Sequence, residues 1–267
     1  MVRLILGNRR CPRRGGSTVD VIFLGTNGWY DTQTGNTVCV LVRSAKFDIV
    51  LDAGTGFYKL DQYIRDQNEK PVYLFLSHFH LDHVIGLHTM DKFKFSLGLT
   101  ISGPLGTRNA LKTLIDEPFT APLSRVPYQV TFRELPSERK KIPFKVEARP
   151  LQHSSLTLGY RFEIDEKSLS YIPDTGYCEN AVILSRGVDL LIAECALKSG
   201  QSSESWPHLN PEKAAQIAKE ANAGKLALVH FDARLYQTQA ERKISERAAR
   251  RVFKNTFATK DGMQIEV

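Results

Sequence analysis

At 267 residues, with 42% hydrophobic and 24% charged residues, the chain has the composition of a globular protein large enough to bury a core. No apolar run is long enough for a transmembrane helix, and the arginine-rich start, with Arg9-Arg10-Cys11-Pro12-Arg13-Arg14, is too polar to read as a secretion signal. The net charge of +7 favours an anionic substrate or partner, and the scattered Cys11, Cys39, Cys178 and Cys195, with no C-x-x-C pair, argue against a disulfide framework and for a reduced, cytoplasmic protein.

Residues 1–17 read as a basic tail, hinged at Gly15-Gly16-Ser17, and 18–267 as one folded domain. Residues 19–24 predict a buried strand ending at Gly25-Thr26-Asn27-Gly28. Residues 37–42 and 48–51 predict two more, the second ending at Asp52-Ala53-Gly54-Thr55-Gly56, where glycine lets the backbone approach closely. A helix is expected over 57–66, a strand over 72–76, and a helix from 82 or 83 to just before 92. A strand over 99–102, a helix over 107–115, and strands over 126–135 and 144–151 follow. Residues 157–164 and 168–172 predict a hairpin pair, and 190–193 a short strand. Asn210-Pro211-Glu212 has the form of a helix start: a capping side chain, then proline at the first helical position. That helix should stop before Gly224. A strand over 225–229, a helix over 239–253 with Ile244, Ala248 and Val252 on its apolar face, and a strand over 263–267 complete the chain.

The run His78-Phe79-His80-Leu81-Asp82-His83 places four potential metal ligands within six residues, directly after an apolar strand. Side chains alternate with period two in extended chain, so His78 and His80 point the same way and can grip one ion. Asp82 and His83, past the bend, can turn toward a second. Imidazole and carboxylate are preferred ligands of zinc, and catalytic zinc sites leave a position open for water. Asp52, His78, His153, Asp174, Glu194 and His230 each stand at or just after the end of an apolar strand-like run. Polar groups so placed on separate strands can converge at one edge of a sheet. His88 lies outside this pattern.

These residues resemble the metallo-β-lactamase-fold hydrolases. The resemblance rests on His-x-His-x-Asp-His at 78–83, followed in order by His153, Asp174 and His230, with Leu51-Asp52-Ala53-Gly54 matching the family's early aspartate motif. It implies an α+β fold, an αββα sandwich of two mixed sheets flanked by helices. It also implies a ligand set: His78, His80 and His153 on one zinc, Asp82, His83 and His230 on a second, and Asp174 bridging them. Manganese or iron could use the same donors. Asp52 would orient a ligand from behind.

Within that family the chain looks most like the ribonuclease Z and phosphodiesterase branch. Asp174 stands where many true β-lactamases carry cysteine. Ile192-Ala193-Glu194-Cys195 resembles the His-Glu-Ala-Thr motif of ribonuclease Z, with Glu194 on its glutamate, and Pro207-His208-Leu209-Asn210 resembles Gly-His-Ser-Thr, with His208 on its histidine. A carboxylate holding an imidazole fixes its tautomer and raises its basicity, so Glu194 and His208 are expected to handle a proton or steady a phosphate. Two departures stand out. Ala193 replaces the histidine of His-Glu-Ala-Thr, and the segment 154–173, where the resemblance puts a tRNA-gripping arm, is only hairpin-sized.

The expected activity is therefore hydrolysis of a small or cyclic phosphodiester, or a short RNA end, by a dinuclear zinc centre, with Asp82, Glu194 and His208 as catalytic residues. A homodimer is compatible with the resemblance, and no membrane partner is expected. One alternative is a lactone or thioester hydrolase on the same fold, in which His208 should matter little. The other is an RNA-binding accessory protein without catalysis, which the basic tail favours and the complete ligand set disfavours.

Overall fold

Alternation of side chains along the strands decides the layering of this protein. The computed structural model describes residues 18–64 and 70–267. The expected basic tail and its glycine hinge lie outside the described residues. The first half of the chain supplies β1 (Asp20–Gly25), β2 (Asn27–Gly28), β3 (Cys39–Arg43), β4 (Asp48–Leu51), β5 (Val72–Phe75), β6 (Leu99–Gly103) and β7 (Val130–Glu134). The second supplies β8 (Lys145–Pro150), β9 (Leu158–Ile164), β10 (Lys167–Ile172), β11 (Leu190–Glu194), β12 (Lys225–Val229), β13 (Phe231–Asp232), β14 (Thr256–Ala258) and β15 (Met263–Glu266). The helices are α1 (Leu81–Val84), α2 (Thr107–Leu114), α3 (Glu179–Ser185), α4 (Pro211–Glu220) and α5 (Gln239–Val252).

Two mixed sheets result. One has seven strands in the order β15-β1-β3-β4-β5-β6-β7, the other six in the order β14-β12-β11-β10-β9-β8. Val21, Phe23, Ile49, Leu51 and Phe75 of the first sheet meet Tyr160, Phe162, Tyr171, Leu190 and Ile192 of the second in a shared core. The intervening residues face outward. Ile22, Leu24, Val50, Leu74 and Leu76 pack beneath Phe57, Leu60, Val84, Leu87 and Leu111. Leu191, Ala193, Leu226 and Leu228 pack beneath Ala181, Leu184, Ala214, Ile217 and Ala249 of the other helices. Strands covered on both faces read as continuous apolar runs, which is why they are visible in the sequence. Across the sandwich the Phe75 ring meets Tyr160 and Phe162 edge-on at 5.4 and 4.9 Å, contacts worth about 0.5–1.5 kcal/mol each beyond the area they bury. The fold is the expected αββα sandwich. Among the described residues no helix is long and apolar enough to cross a membrane.

The local differences from the sequence reading have identifiable causes. The helix expected over 57–66 is a 3-10 helix over Thr55–Gln62, and residues 65–69 lie outside the described residues. The helix expected from 82 is α-helical only over Leu81–Val84 and tightens to 3-10 over Ile85–Lys92. There Gly86 presses on the Ala53–Gly54 loop, donating its N–H to the Ala53 carbonyl at 2.9 Å, and any Cβ would meet that same oxygen at 2.8 Å. The strand expected from 126 begins only at Val130, because Pro127 has no N–H to give to a ladder.

The clearest correction concerns α5. Ala248 is buried and Val252 packs against the core as expected, but Ile244 is 54% exposed, and the buried face also carries Arg242, Ser245, Glu246 and Ala249. Arg242 is 1% exposed. Its guanidinium donates to Thr26 Oγ1 at 2.7 Å, the Thr259 carbonyl at 3.2 Å, Thr34 Oγ1 at 3.3 Å and, in a short contact, Asn27 Oδ1, and it lies over the Phe231 ring. This buried cation ties the last long helix to the turn after β1. Arg242→Met strands those acceptors and should cost about 3 kcal/mol or more in urea unfolding, whereas Ile244→Ala should stay within about 0.5 kcal/mol.

Candidate metal centre

The strands that carry the candidate residues point their carboxyl ends at one edge. β4 and β5 run parallel, as do β10, β11 and β12. β8 is antiparallel to β9, which is antiparallel to β10, so β8 ends at that edge too. Crevices at the carboxyl ends of parallel strands are where open α/β sheets place their ligands. Asp52 follows β4, His78 to His83 follow β5, His153 follows β8, Asp174 follows β10, Glu194 ends β11, His208 precedes α4 and His230 follows β12.

The structure brings the expected residues together. His78, His80, His153 and Asp174 each offer a ligand atom within 4.8 Å of the others, and Asp82, His83 and His230 do the same beside them. Asp174 lies between the two groups. Its Oδ2 is 3.8 Å from His153 Nε2 and 3.9 Å from His78 Nε2, while its Oδ1 is 3.2 Å from both His83 Nε2 and His230 Nε2. Asp82 Oδ2 is 3.2 Å from His230 Nε2 and 3.6 Å from His83 Nε2.

The rings are oriented from behind. Asp52, fully buried, accepts hydrogen bonds from Ser77 N at 2.7 Å, Ser77 Oγ at 2.8 Å, His83 Nδ1 at 2.8 Å and Tyr171 Oη at 2.6 Å. Its hold on His83 Nδ1–H leaves Nε2 as the ring position facing the cluster. Ser77 Oγ, having given its proton to Asp52, accepts from His78 Nδ1–H at 2.9 Å, which turns His78 Nε2 inward as well. His153 Nδ1–H donates to the Pro207 carbonyl at 3.4 Å. His78 Nε2 is buried with no hydrogen-bond partner, and Asp174 Oδ1, though 3.2 Å from two ring nitrogens, makes no well-aligned hydrogen bond. Buried polar atoms left unpaired at the centre of a ring of nitrogen and carboxylate donors are what a divalent cation would satisfy, so the residues fit one.

The protonation balance divides the cluster. Burial, reinforced by His83, pushes His78 well down, and burial lowers His80 and His153 too, so these three are neutral rings. Burial opposes charge on His83, yet Asp174, Asp82 and Asp52 together lift it well above the ordinary histidine range. His230 is raised against burial chiefly by Asp174. Burial also opposes charge on Asp174, but His230 and His83 hold its carboxyl well below the usual range. A cation binding here would displace the protons on His83 and His230.

Glu194, fully buried, accepts from Thr175 N and Ala196 N, both at 2.9 Å, and from His208 Nδ1 at 2.7 Å. Burial works against the charged form of His208, but Glu194 outweighs it and raises the imidazole to about 9. His208 also comes within 4.8 Å of Asp174 and His230. His88 is apart from the cluster, exposed, with Nδ1 on the Ile85 carbonyl at 2.6 Å. Cys195 is buried against Tyr236 Oη at 3.8 Å and turns away from the site.

Several contributors carry no signal in the sequence. Tyr171 comes from the opposite sheet. The Trp29 N–H donates to Asp82 Oδ2 at 2.7 Å, and a Cβ on Gly28 would lie 2.7 Å from His230 Nδ1 and 2.8 Å from Nε2. Trp29, Asp52 and His230 all adopt left-handed backbone, at φ 74°, 54° and 56°, a conformation that side chains rarely take and that concentrates at functional sites.

Comparison with known proteins agrees with this geometry. The family model described as "Beta-lactamase superfamily domain" matches residues 48–231, more than half of the chain. A ribonuclease Z of Sulfolobus acidocaldarius is 27% identical over 282 residues, covering 89% of this chain and 95% of that protein. The crystal structure of the metallo-β-lactamase fold protein YhfI from Bacillus subtilis superposes with a TM-score of 0.76 at 23% identity, covering 94% of this chain and all of that one. The short form of human tRNase Z superposes with a TM-score of 0.68 at 23% identity, over 92% of this chain and 98% of that one. The chain belongs to the beta-lactamase superfamily, as a ribonuclease Z-like metallo-hydrolase.

Proposed function

We propose that this chain is a metal-dependent phosphodiesterase that uses two zinc ions on a small or cyclic phosphodiester, such as a cyclic nucleotide, a cyclic phosphate or a short RNA 3′ end. In this reading His78, His80 and His153 hold one cation, Asp82, His83 and His230 a second, and Asp174 touches both. Asp52 orients His83 and, through Ser77, His78. Such a pair, when bound, supplies Lewis acidity toward phosphoryl oxygens and an activated water at neutral pH.

The observation that carries the choice of phosphorus is the 2.7 Å contact between His208 Nδ1 and Glu194, which sets a fixed imidazole beside the cluster. With Nδ1 engaged, Nε2 is the ring position left to donate to a phosphoryl oxygen or protonate the departing oxygen, a task that hydrolysis of a good-leaving ester would not need. Asp82, bonded by the Trp29 N–H, is the carboxylate on the same side as His230 and serves to hold the attacking water in line. A small substrate is favoured because residues 154–173, between His153 and Asp174, are accounted for by β9, β10 and their short connections. Relatives named ribonuclease Z support a phosphodiester, and the free thiols Cys39, Cys178 and Cys195 suit a reducing cytoplasm.

A screen of metal-loaded protein against cyclic nucleotides, cyclic phosphates, short RNAs, lactones and thioesters tests the reading. Phosphodiester turnover is expected, and His208→Ala should lower its kcat by roughly 10²–10⁴ with metal content unchanged. Turnover of lactones or thioesters alone, indifferent to His208→Ala, would overturn the proposal, as would salt-sensitive RNA binding with no hydrolysis. Asp52→Ala should weaken metal affinity by about 10–100-fold in chelator competition, because two ligand rings lose their anchor. Unchanged affinity would remove Asp52 from the role assigned to it.

A further inference from the structure

The mouth of the cluster carries two indoles, and they differ in what covers them. The protein has two tryptophans. Trp29 is 59% exposed, but the Arg234 guanidinium lies 5.3 Å from its ring centroid and the Tyr30 ring meets it edge-on at 5.2 Å. Trp206 is 50% exposed. One face stacks on the His80 ring, with centroids 5.7 Å apart and planes 11° from parallel. Its edge approaches His153 at 5.5 Å and His208 at 5.9 Å. The Trp206 backbone N–H donates to Ser203 Oγ at 3.1 Å, fixing the local chain. The indole thus packs against three residues of the candidate site while half of its surface stays in water.

A large apolar ring left half-exposed forfeits burial, and this one adjoins a site whose other walls are imidazoles and carboxylates. A single rigid aromatic plane beside a phosphate site matches one planar ring of a substrate. Resting on the phosphodiesterase reading above, we infer that Trp206 is the platform on which a nucleobase of the substrate stacks while its phosphate sits over the cluster. This narrows the substrate class to nucleotides and nucleotide ends, in preference to sugar or aliphatic phosphodiesters. Stacking tolerates any base, because every base has a π-face.

The test compares binding of adenosine 5′-monophosphate, ribose 5-phosphate and inorganic phosphate to zinc-loaded protein by calorimetry, with tryptophan fluorescence as a second readout. Wild type is expected to bind the nucleotide roughly ten-fold or more tighter than ribose 5-phosphate, with quenching of its fluorescence. Trp206→Ala should bind the two alike, with metal content and inorganic phosphate affinity unchanged, and Trp206→Phe should keep part of the preference. If wild type binds both organic phosphates equally, or Trp206→Ala retains the preference, the base platform is wrong while the phosphodiesterase reading stands. If no phosphate ligand binds and no phosphodiester is turned over, both fail. Should Trp206→Ala lose zinc, the wild-type preference and its partial retention in Trp206→Phe still decide the matter.

Discussion

A single buried carboxylate connects the core of this protein to its chemistry. Asp52 has no solvent contact and satisfies its lone pairs with four donors: the backbone and hydroxyl of Ser77, the ring of His83 and the hydroxyl of Tyr171. Ser77 and His83 belong to the first sheet's side of the sandwich, and Tyr171 lies on β10 of the second. The two layers are therefore registered to each other by the group that aims the histidines. A buried charge is tolerated only when it is fully hydrogen-bonded, so the geometry of these four donors is not free to drift. The neighbouring contact from Tyr160 Oη to the Leu76 carbonyl at 2.6 Å repeats the arrangement one residue before Ser77.

The cluster itself is a concentration of like groups that would be costly without a cation. His83 Nε2 and His230 Nε2 stand 3.1 Å apart, and His80 Nδ1 and His153 Nε2 3.4 Å apart. Inward-facing nitrogens at such separations gain little from one another, and it is the packing behind them that keeps them there. On the His230 side that packing is backbone: the ring lies against Gly28, in the short β2 that pairs with β13. Arg242 locks the same turn from the far side through Thr26 and Asn27. A residue on the last long helix thus contributes to the site without approaching it, by holding the glycine against which His230 rests.

Much of this was legible in the chain, for physical reasons that can be named. Strands such as β4, β5, β11 and β12 are buried on both faces and therefore write uninterrupted apolar runs. Residues at the carboxyl ends of those runs had to fall at one edge once the strands were parallel, so Asp52, His78, His153, Asp174, Glu194 and His230 could be nominated together. The spacing of His78, His80, Asp82 and His83 followed from the change of periodicity where an extended segment enters α1. The Asn210-Pro211 start of α4 was legible because capping is local: the Asn210 side chain accepts from Lys213 N at 2.8 Å. On α5 the expected face held at Ala248 and Val252 and failed at Ile244, because periodicity counts hydrophobic residues and this helix also buries arginine, serine and glutamate.

What the sequence by itself determined is the inventory: which side chains can ligate, which strand ends carry them, and, through the resemblance their motif carries, the layered fold to expect. Tertiary structure decided their mutual distances, which depend on strand order and on contacts between residues more than a hundred positions apart. Only it could place Tyr171 on Asp52, Arg242 on Asn27, Gly28 on His230 and Trp206 on His80. None of these pairings leaves a local pattern, because each is a meeting of loops and layers that share no periodicity. Long-range packing in the folded chain selects them, and with them the arrangement of the candidate site.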